Sequence, residues 1–394
     1  MYKHAARYSR SRPYYNFASR ASFAALLFGL TVSMVAPFWS QTAPKPTFAE
    51  IEKQAAEARD AKQLEEAVPL YREGLKLRPD WKEGSWYLGT SLYGLKRYAE
   101  ARDAFRHLAI TQPSNAPAWG LAGVCEFELK NYPRALEYLL RSENAGFGEN
   151  QELTSLFRFR IALLLNRAGE FEQSLSRLIP IAAQGTFPEV IEAMGLGLLR
   201  APLLPSEVPE QDRELYIRAG EAMNAFVSHD TASAARLFEE LVAAYPDHPN
   251  VHYARGVFLM ENDPEKALPE LQRELELNPS HSAALAQMAK LYLKQGDSDK
   301  ALPYARQAVK ASPNAPALHR ILGESLLESG ETSAAIQELL TAARLEPDFP
   351  QTHFLLARAY QRAGQKALAS KEMAEFERLD KKQKSEFSNA NTQK

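Results

Sequence analysis

One cysteine, Cys125, stands in 394 residues, so no disulfide closes within the chain and no cysteine-based zinc site can be built from it. An excess of either charge is also missing: 47 Lys and Arg face 49 Asp and Glu, for a formal net charge of −2. Without a positive field over the whole protein, nucleic acid is not an expected partner. The body of the chain lacks the alternating Val, Ile and Thr runs of strands and is rich in Ala, Leu, Glu, Lys, Arg and Gln, which favour helix. Catalytic signatures are missing too: there is no G-x-x-x-x-G-K-[ST] phosphate loop, no H-E-x-x-H, no G-x-S-x-G and no strand-borne G-x-G-x-x-G. His248 and His252 stand four apart beside Asp247, but no third ligand accompanies them. They read as a solvated turn histidine and a packed helix histidine. Cys125 has no basic neighbour in sequence and reads as a small packed hydrophobe. The expectation is an all-α, non-enzymatic chain with no catalytic residue, cofactor or metal.

What the chain does have is a period. Pro79 and Pro113 are 34 residues apart, as are Pro279, Pro313 and Pro347, and Ala67, Ala101, Ala267, Ala301 and Ala335 precede them by twelve. Ala234 and Pro246 keep the same offset, one cycle earlier, but at a spacing of 33 from Pro279. A fixed period of this size marks a solenoid of stacked supersecondary units. Each unit holds two helical stretches around a Gly, Asp or Asn turn and closes on proline, which cannot extend the helix and drives the residue before it out of helical geometry. Small residues, Gly89, Gly123, Ala289, Gly323 and Ala357 on the first helix and the alanine series on the second, mark where paired helices approach closely.

These positions resemble the tetratricopeptide repeat, W-x2-L-G-x2-Y followed by Ala, Phe, Ala and Pro. Residues 316–349 supply Leu322, Gly323, Ala335, Ala342 and Pro347; residues 82–115 supply Leu88, Gly89, Ala101, Phe105 and Pro113. Residues 116–149, 215–248 and 282–315 match well, and 48–81, 155–187, 248–281 and 350–380 are weaker copies. The resemblance implies a right-handed superhelical solenoid of antiparallel helix pairs that binds peptides or protein segments in a groove lined by first helices. Within residues 188–214 one helix lacks a second, and Pro202, Pro205 and Pro209 follow it. The expected organisation is therefore an array at 47–187, an irregular connection at 188–214, an array at 215–380 and a disordered polar capping tail at 381–394.

Register places Trp86, Thr90, Tyr93, Phe127, Met223, Phe226 and Tyr253 in the groove as an apolar, aromatic stretch. Further on come Lys290, Arg320, Glu324 and Arg358, mixed and mostly basic. Aromatic and arginine side chains dominate binding hot spots, which suits an amphipathic or partly acidic protein segment; packing between hairpins is the alternative for each aromatic. The carboxylate clamp of chaperone-tail binders needs lysine and asparagine at set places. Those places hold Ala286, Lys290 and Ile321 here, so that ligand is not carried over.

Ahead of the repeats, residues 1–20 carry Lys3, Arg7, Arg10, Arg12 and Arg20 with no acid, and residues 21–44 carry no charge. The apolar run from Phe23 to Trp39 is an export signal, either a cleaved peptide or an uncleaved anchor. Residues 1–46 then make a signal or anchor with a short linker, and the repeats are expected outside the cytoplasm. The functional expectation is an exported or membrane-anchored interaction scaffold. An accessory subunit of an envelope enzyme or secretion machine is the alternative, and an enzyme the remote one.

Overall fold

The computed structural model describes residues 45–185 and 187–392, with side chains through residue 385. The segment expected to direct export lies outside these residues. From Phe48 onward the chain is one compact unit. It is all-α: among the described residues there are nineteen α-helices and no strand. Four hairpins come first, α1 (Phe48–Asp60) with α2 (Leu64–Leu77), α3 (Lys82–Gly94) with α4 (Tyr98–Thr111), α5 (Ala116–Glu128) with α6 (Tyr132–Asn144), and α7 (Gln151–Arg167) with α8 (Phe171–Ala182). A lone helix follows, α9 (Pro188–Leu198). Five more hairpins complete the stack: α10 (Arg213–Val227) with α11 (Thr231–Ala244), α12 (Val251–Asn262) with α13 (Pro264–Leu277), α14 (Ser282–Lys294) with α15 (Ser298–Ala311), α16 (Pro316–Glu328) with α17 (Thr332–Leu345), and α18 (Pro350–Arg362) with α19 (Lys366–Thr392). The polar tail that begins at 381 continues α19 as helix through Thr392.

The periodic residues have the steric roles their spacing implied. Ala67, Ala101, Ala135, Ala234, Ala267, Ala301 and Ala335 are all fully buried. A Cβ on Gly89 would meet the Phe105 ring at 2.6 Å, and one on Gly323 would meet Leu339 at 2.6 Å, so each glycine admits the large residue of its own second helix. In eight hairpins a three-residue turn joins the helices, and its middle residue is left-handed: Lys62, Lys96, Lys130, Gly169, His229, Gly296, Gly330 and Gly364. In the ninth, Asp263 alone links α12 to α13. The spacing of 33 arises in this unit: the turn loses two residues and α12 is one residue shorter than α14, while the stretch between Pro246 and α12 is two residues longer than that between Pro279 and α14, a net loss of one.

Adjacent first helices make more extensive contact across hairpins than any two second helices do, as in α5 with α7, α12 with α14 and α16 with α18. Elements on the inside of a bend crowd together, so the first helices line the concave side. The segment at 188–214, expected as a connection between two arrays, holds a helix that packs against both neighbours, α8 and α10. A Cβ on Gly195 would lie 1.8 Å from the Tyr216 carbonyl oxygen, and one on Gly220 1.9 Å from that of Ile191. Reciprocal glycines thus bring the backbones of α9 and α10 into contact. The following loop is pinned by Asn166, whose Nδ2 donates to the carbonyls of Ala201 (2.7 Å) and Leu203 (3.0 Å), and by burial of Leu204 and Val208.

Candidate binding groove

In the first repeats Tyr93, Phe127, Glu128 and Arg160 cluster across α3, α5 and α7. Arg160 donates to Glu128 Oε1 at 3.1 Å while its guanidinium lies 4.3 Å from the centre of the Phe127 ring. Tyr93 is half-buried, and burial together with nearby Glu128 raises its pKa. The Tyr93 ring lies 5.3 Å from that of Tyr98 on α4 and the Phe127 ring 5.6 Å from that of Tyr132 on α6, and Trp86 likewise turns edge-on to Phe105 of α4 at 5.8 Å, so it packs in the α3–α4 hairpin. The Thr90 hydroxyl donates to the Tyr87 carbonyl within its own helix at 3.2 Å. Those two side chains are committed to packing and local structure.

At mid-stack Met223, Phe226 and Tyr253 come together around a cavity of about 190 Å³, with Phe171, Glu172 and Arg200 on its wall. Arg200 follows α9 in a left-handed conformation (φ 54°). From there its Nη1 reaches Glu172 Oε1 at 2.5 Å, and its guanidinium lies 4.7 Å from the Phe171 ring centre and 5.8 Å from that of Tyr253. Tyr253 is held from below. Glu274, fully buried on α13, accepts the backbone N–H groups of Asn250 (3.0 Å to each oxygen) and Tyr253 (3.2 Å), satisfying donors at the start of α12. Desolvation raises the Glu274 pKa against those hydrogen bonds. The Tyr253 ring also lies 4.9 Å from that of His281. His281 accepts the Ala284 N–H at Nδ1 (2.9 Å), so its Nε2–H donates to Asn250 Oδ1 (2.5 Å). Burial pushes its pKa down to about 4 and keeps it neutral in this tautomer.

Further along, the expected mostly basic surface is corrected. Arg320 pairs with Glu346 (2.6 Å) and covers the Phe349 ring at 3.8 Å, so its charge is already met. Arg358 pairs with Glu328 (2.7 Å), which also takes Arg362 (3.2 Å). Lys290 and Glu324 have no ion-pair partner among the described residues. Lys290 is open to solvent, yet protein surrounds it on the concave side; that desolvation, with Arg320 nearby, lowers its pKa against the pull of Glu324. Burial raises the Glu324 pKa, opposed by Arg358 and Lys290.

Several residues escaped the sequence reading. Arg200, Glu172, Glu274 and His281 shape the central cavity from four separate elements, and only the irregular stretch at 188–214 hinted at them. The histidines have a repeated structural role. Trp119 Nε1 donates to the Pro113 carbonyl at 3.3 Å. His252, His319 and His353 take the same place, each with Nε2 at 2.8 Å from the carbonyl of Pro246, Pro313 or Pro347. Their Nδ1 atoms face Glu270 (2.7 Å), Glu338 (2.6 Å) and Glu372 (2.7 Å). His252 therefore tethers a hairpin to the turn before it. Cys125 is buried, and desolvation pushes its thiol up to about 12.

A human protein, Protein O-mannosyl-transferase TMTC3 of Homo sapiens, is 25% identical over 256 residues, which are 58% of this chain and 26% of the relative's length. This chain thus spans about a quarter of that relative. Among solved structures, MamA from Desulfovibrio magneticus RS-1 is 20% identical, covering 43% of this chain and 97% of its own, with a TM-score of 0.40. Another MamA crystal structure is 17% identical, covering 43% and 94%, with a TM-score of 0.39. The tetratricopeptide repeat family model matches residues 53–117, 88–149, 220–282, 261–316, 286–351 and 322–384, more than half of the sequence. With this match added to hairpins that repeat its small, aromatic and proline positions, the chain belongs to the tetratricopeptide repeat family.

Proposed function

We propose that this protein is a non-enzymatic scaffold whose concave groove holds a segment of a partner protein outside the cytoplasm. The observation that carries the reading is the contrast along the inner face. Most of its charged side chains are already paired, as in Arg160 with Glu128 and Arg358 with Glu328, whereas Lys290 and Glu324 stand without partners. Desolvated, unpaired charges of opposite sign gain most from a ligand that supplies the missing hydrogen bonds, such as the polar backbone or a charged side chain of a bound segment. The cavity beside Tyr253 is too small for a drug-sized molecule and suits one apolar side chain of the same segment.

The five basic residues before the uncharged run at 21–44 support export, with the segment either cleaved or kept as an anchor. The transferase in the name of the human relative belongs to a protein roughly four times the matched length, and the motifs of catalysis are missing from this sequence. The test is crosslinking capture from intact cells with wild-type, Lys290→Glu and Glu324→Lys chains. A partner that crosslinks to all three with equal yield would refute the groove, and turnover by the purified chain would refute a scaffold role. A reporter fused after Lys394 that works only in the cytoplasm would refute export.

A further inference from the structure

The lone helix α9 leaves a vacancy on the opposite side of the stack from the groove. In every hairpin a second helix lies beside its first helix and meets the first helix of the next unit. After α9 the chain instead makes two short 3-10 turns, Pro205–Glu207 and Glu210–Asp212, held against the end of α7 by Asn166. Among the described residues no second helix stands between α9 and α10 in the chain. A cavity of about 560 Å³ opens there between α9, α10 and the start of α11.

Its lining has a consistent chemistry. Ile191, Ile217 and Leu237 form apolar walls, while Glu221 and Asp230 are its charged lining residues, both acidic. Glu221 is exposed and makes no ion pair among the described residues; Asp230 accepts the Ser233 N–H, which lowers its pKa and keeps it ionised. Asn224 Oδ1, also at this site, is buried without a hydrogen-bond partner. An acceptor in that position favours a donor from outside. Ile217, Glu221, Asn224 and Ser228 follow one another at helical spacing along a single face of α10, away from the buried face formed by Tyr216, Ala219 and Gly220.

We propose that this cleft receives a basic amphipathic helix from a partner protein, lying along α10 where a second helix for α9 is missing. The apolar stripe of the incoming helix covers Ile191, Ile217 and Leu237, and a Lys or Arg meets Glu221 and Asp230. This site is separate from the concave groove and stands or falls independently of it.

Two peptides from this chain supply the probes, because both have second-helix patterning and differ in charge. The α15 sequence, residues 298–311, carries Lys300, Arg306 and Lys310 against Asp299; the α13 sequence, residues 264–277, carries Lys266 and Arg273 against four glutamates. Fluorescence anisotropy with the full-length chain should show the α15 peptide binding at least roughly tenfold more tightly than the α13 peptide, and Glu221→Lys should weaken the α15 peptide by roughly tenfold. Ile217→Asp should abolish binding with the far-UV circular dichroism unchanged; if that variant unfolds, the exposed Glu221→Lys change still decides the matter. Equal affinity of the two peptides, or indifference to Glu221→Lys, overturns the proposal. So does dimerisation of the chain that Ile217→Asp abolishes while neither peptide binds, since the occupant is then a second copy.

Discussion

Replacing Gly195 by alanine puts a methyl carbon 1.8 Å from the Tyr216 carbonyl oxygen and 2.7 Å from its carbon. Both atoms belong to the backbone of α10, so no side chain can swing aside, and α9 must move off by more than ~1 Å to restore an ordinary contact. Overpacking of this kind costs ~1–3 kcal/mol, and the rigid obstacle places Gly195→Ala at the upper end. Alanine recovers ~1 kcal/mol of helix propensity over glycine, leaving a net loss of about 2 kcal/mol. The assay is urea unfolding followed by circular dichroism, with hydrogen exchange to locate the loss in α9 and α10. Gly330→Ala is the contrast: its Cβ meets nothing within 4 Å, but φ is +88°, so backbone strain alone costs ~1 kcal/mol. The reciprocal contact at Gly220 makes the reasoning sharper. Once one methyl has separated the helices, the second finds room, so the double variant should lose clearly less than the sum of the two single losses. Unchanged stability in Gly195→Ala, or strict additivity in the double variant, would refute a backbone-to-backbone contact.

The buried neutral His281 predicts acid sensitivity near its cavity. Its folded pKa of about 4 lies below the unfolded value, so its contribution is complete above about pH 6.5 and is lost as pH falls toward 4. Between pH 7 and 5 the wild type should lose about 2 kcal/mol more than His281→Gln in parallel denaturant titrations, and equal losses would contradict the assignment. Glu274→Ala leaves the N–H groups of Asn250 and Tyr253 without their acceptor and should cost ~2–4 kcal/mol, visible as faster hydrogen exchange at the start of α12. Trp86→Ala should lower stability by about 2–3 kcal/mol, a half-buried share of a full aromatic truncation, with partner capture falling only in proportion. Tyr93→Ala should reduce capture more than its stability loss explains, and the reverse order for this pair would reassign both.

The repeat was legible because it is written in steric absolutes. A proline cannot continue a helix, and a glycine facing Phe105 or Leu339 cannot be anything larger, so these residues recur in phase whatever lies on the surface. The same logic gives the spacing of 33 a cause without a location. A missing residue is visible as a shorter period, but only the geometry resolves it into a turn shortened at Asp263 and a longer stretch after Pro246. Groove residues obey no such absolute. Trp86 and Tyr93 sit on one helix at neighbouring angles, and how each ring packs, Trp86 on Phe105 and Tyr93 on Tyr98, depends on partners from another helix. The partners of Arg320 were illegible for the same reason, because Glu346 and Phe349, which hold it, lie 26 and 29 residues away beside the next turn.

The histidines carry a pattern that is visible in the sequence but whose chemistry only the fold supplies. His319 and His353 recur at 34 residues, each six after a proline. That is the tryptophan place of the repeat, as Trp119 makes plain, and an imidazole can offer the same N–H to the same carbonyl. An imidazole differs from an indole in its second nitrogen, and each such nitrogen has acquired a glutamate from the second helix. The His252 pair follows the same arrangement with a separation of 18 residues in place of 19, the one residue lost between α12 and α13. A pairing that survives a shortened turn is held by geometry in space rather than by sequence distance. The irregular places in this solenoid are therefore the informative ones: the left-handed Asn250 ahead of α12 stands where Glu274 accepts two N–H groups and Tyr253 is seated, and the second helix missing after α9 accompanies both the left-handed Arg200 and the acidic cleft.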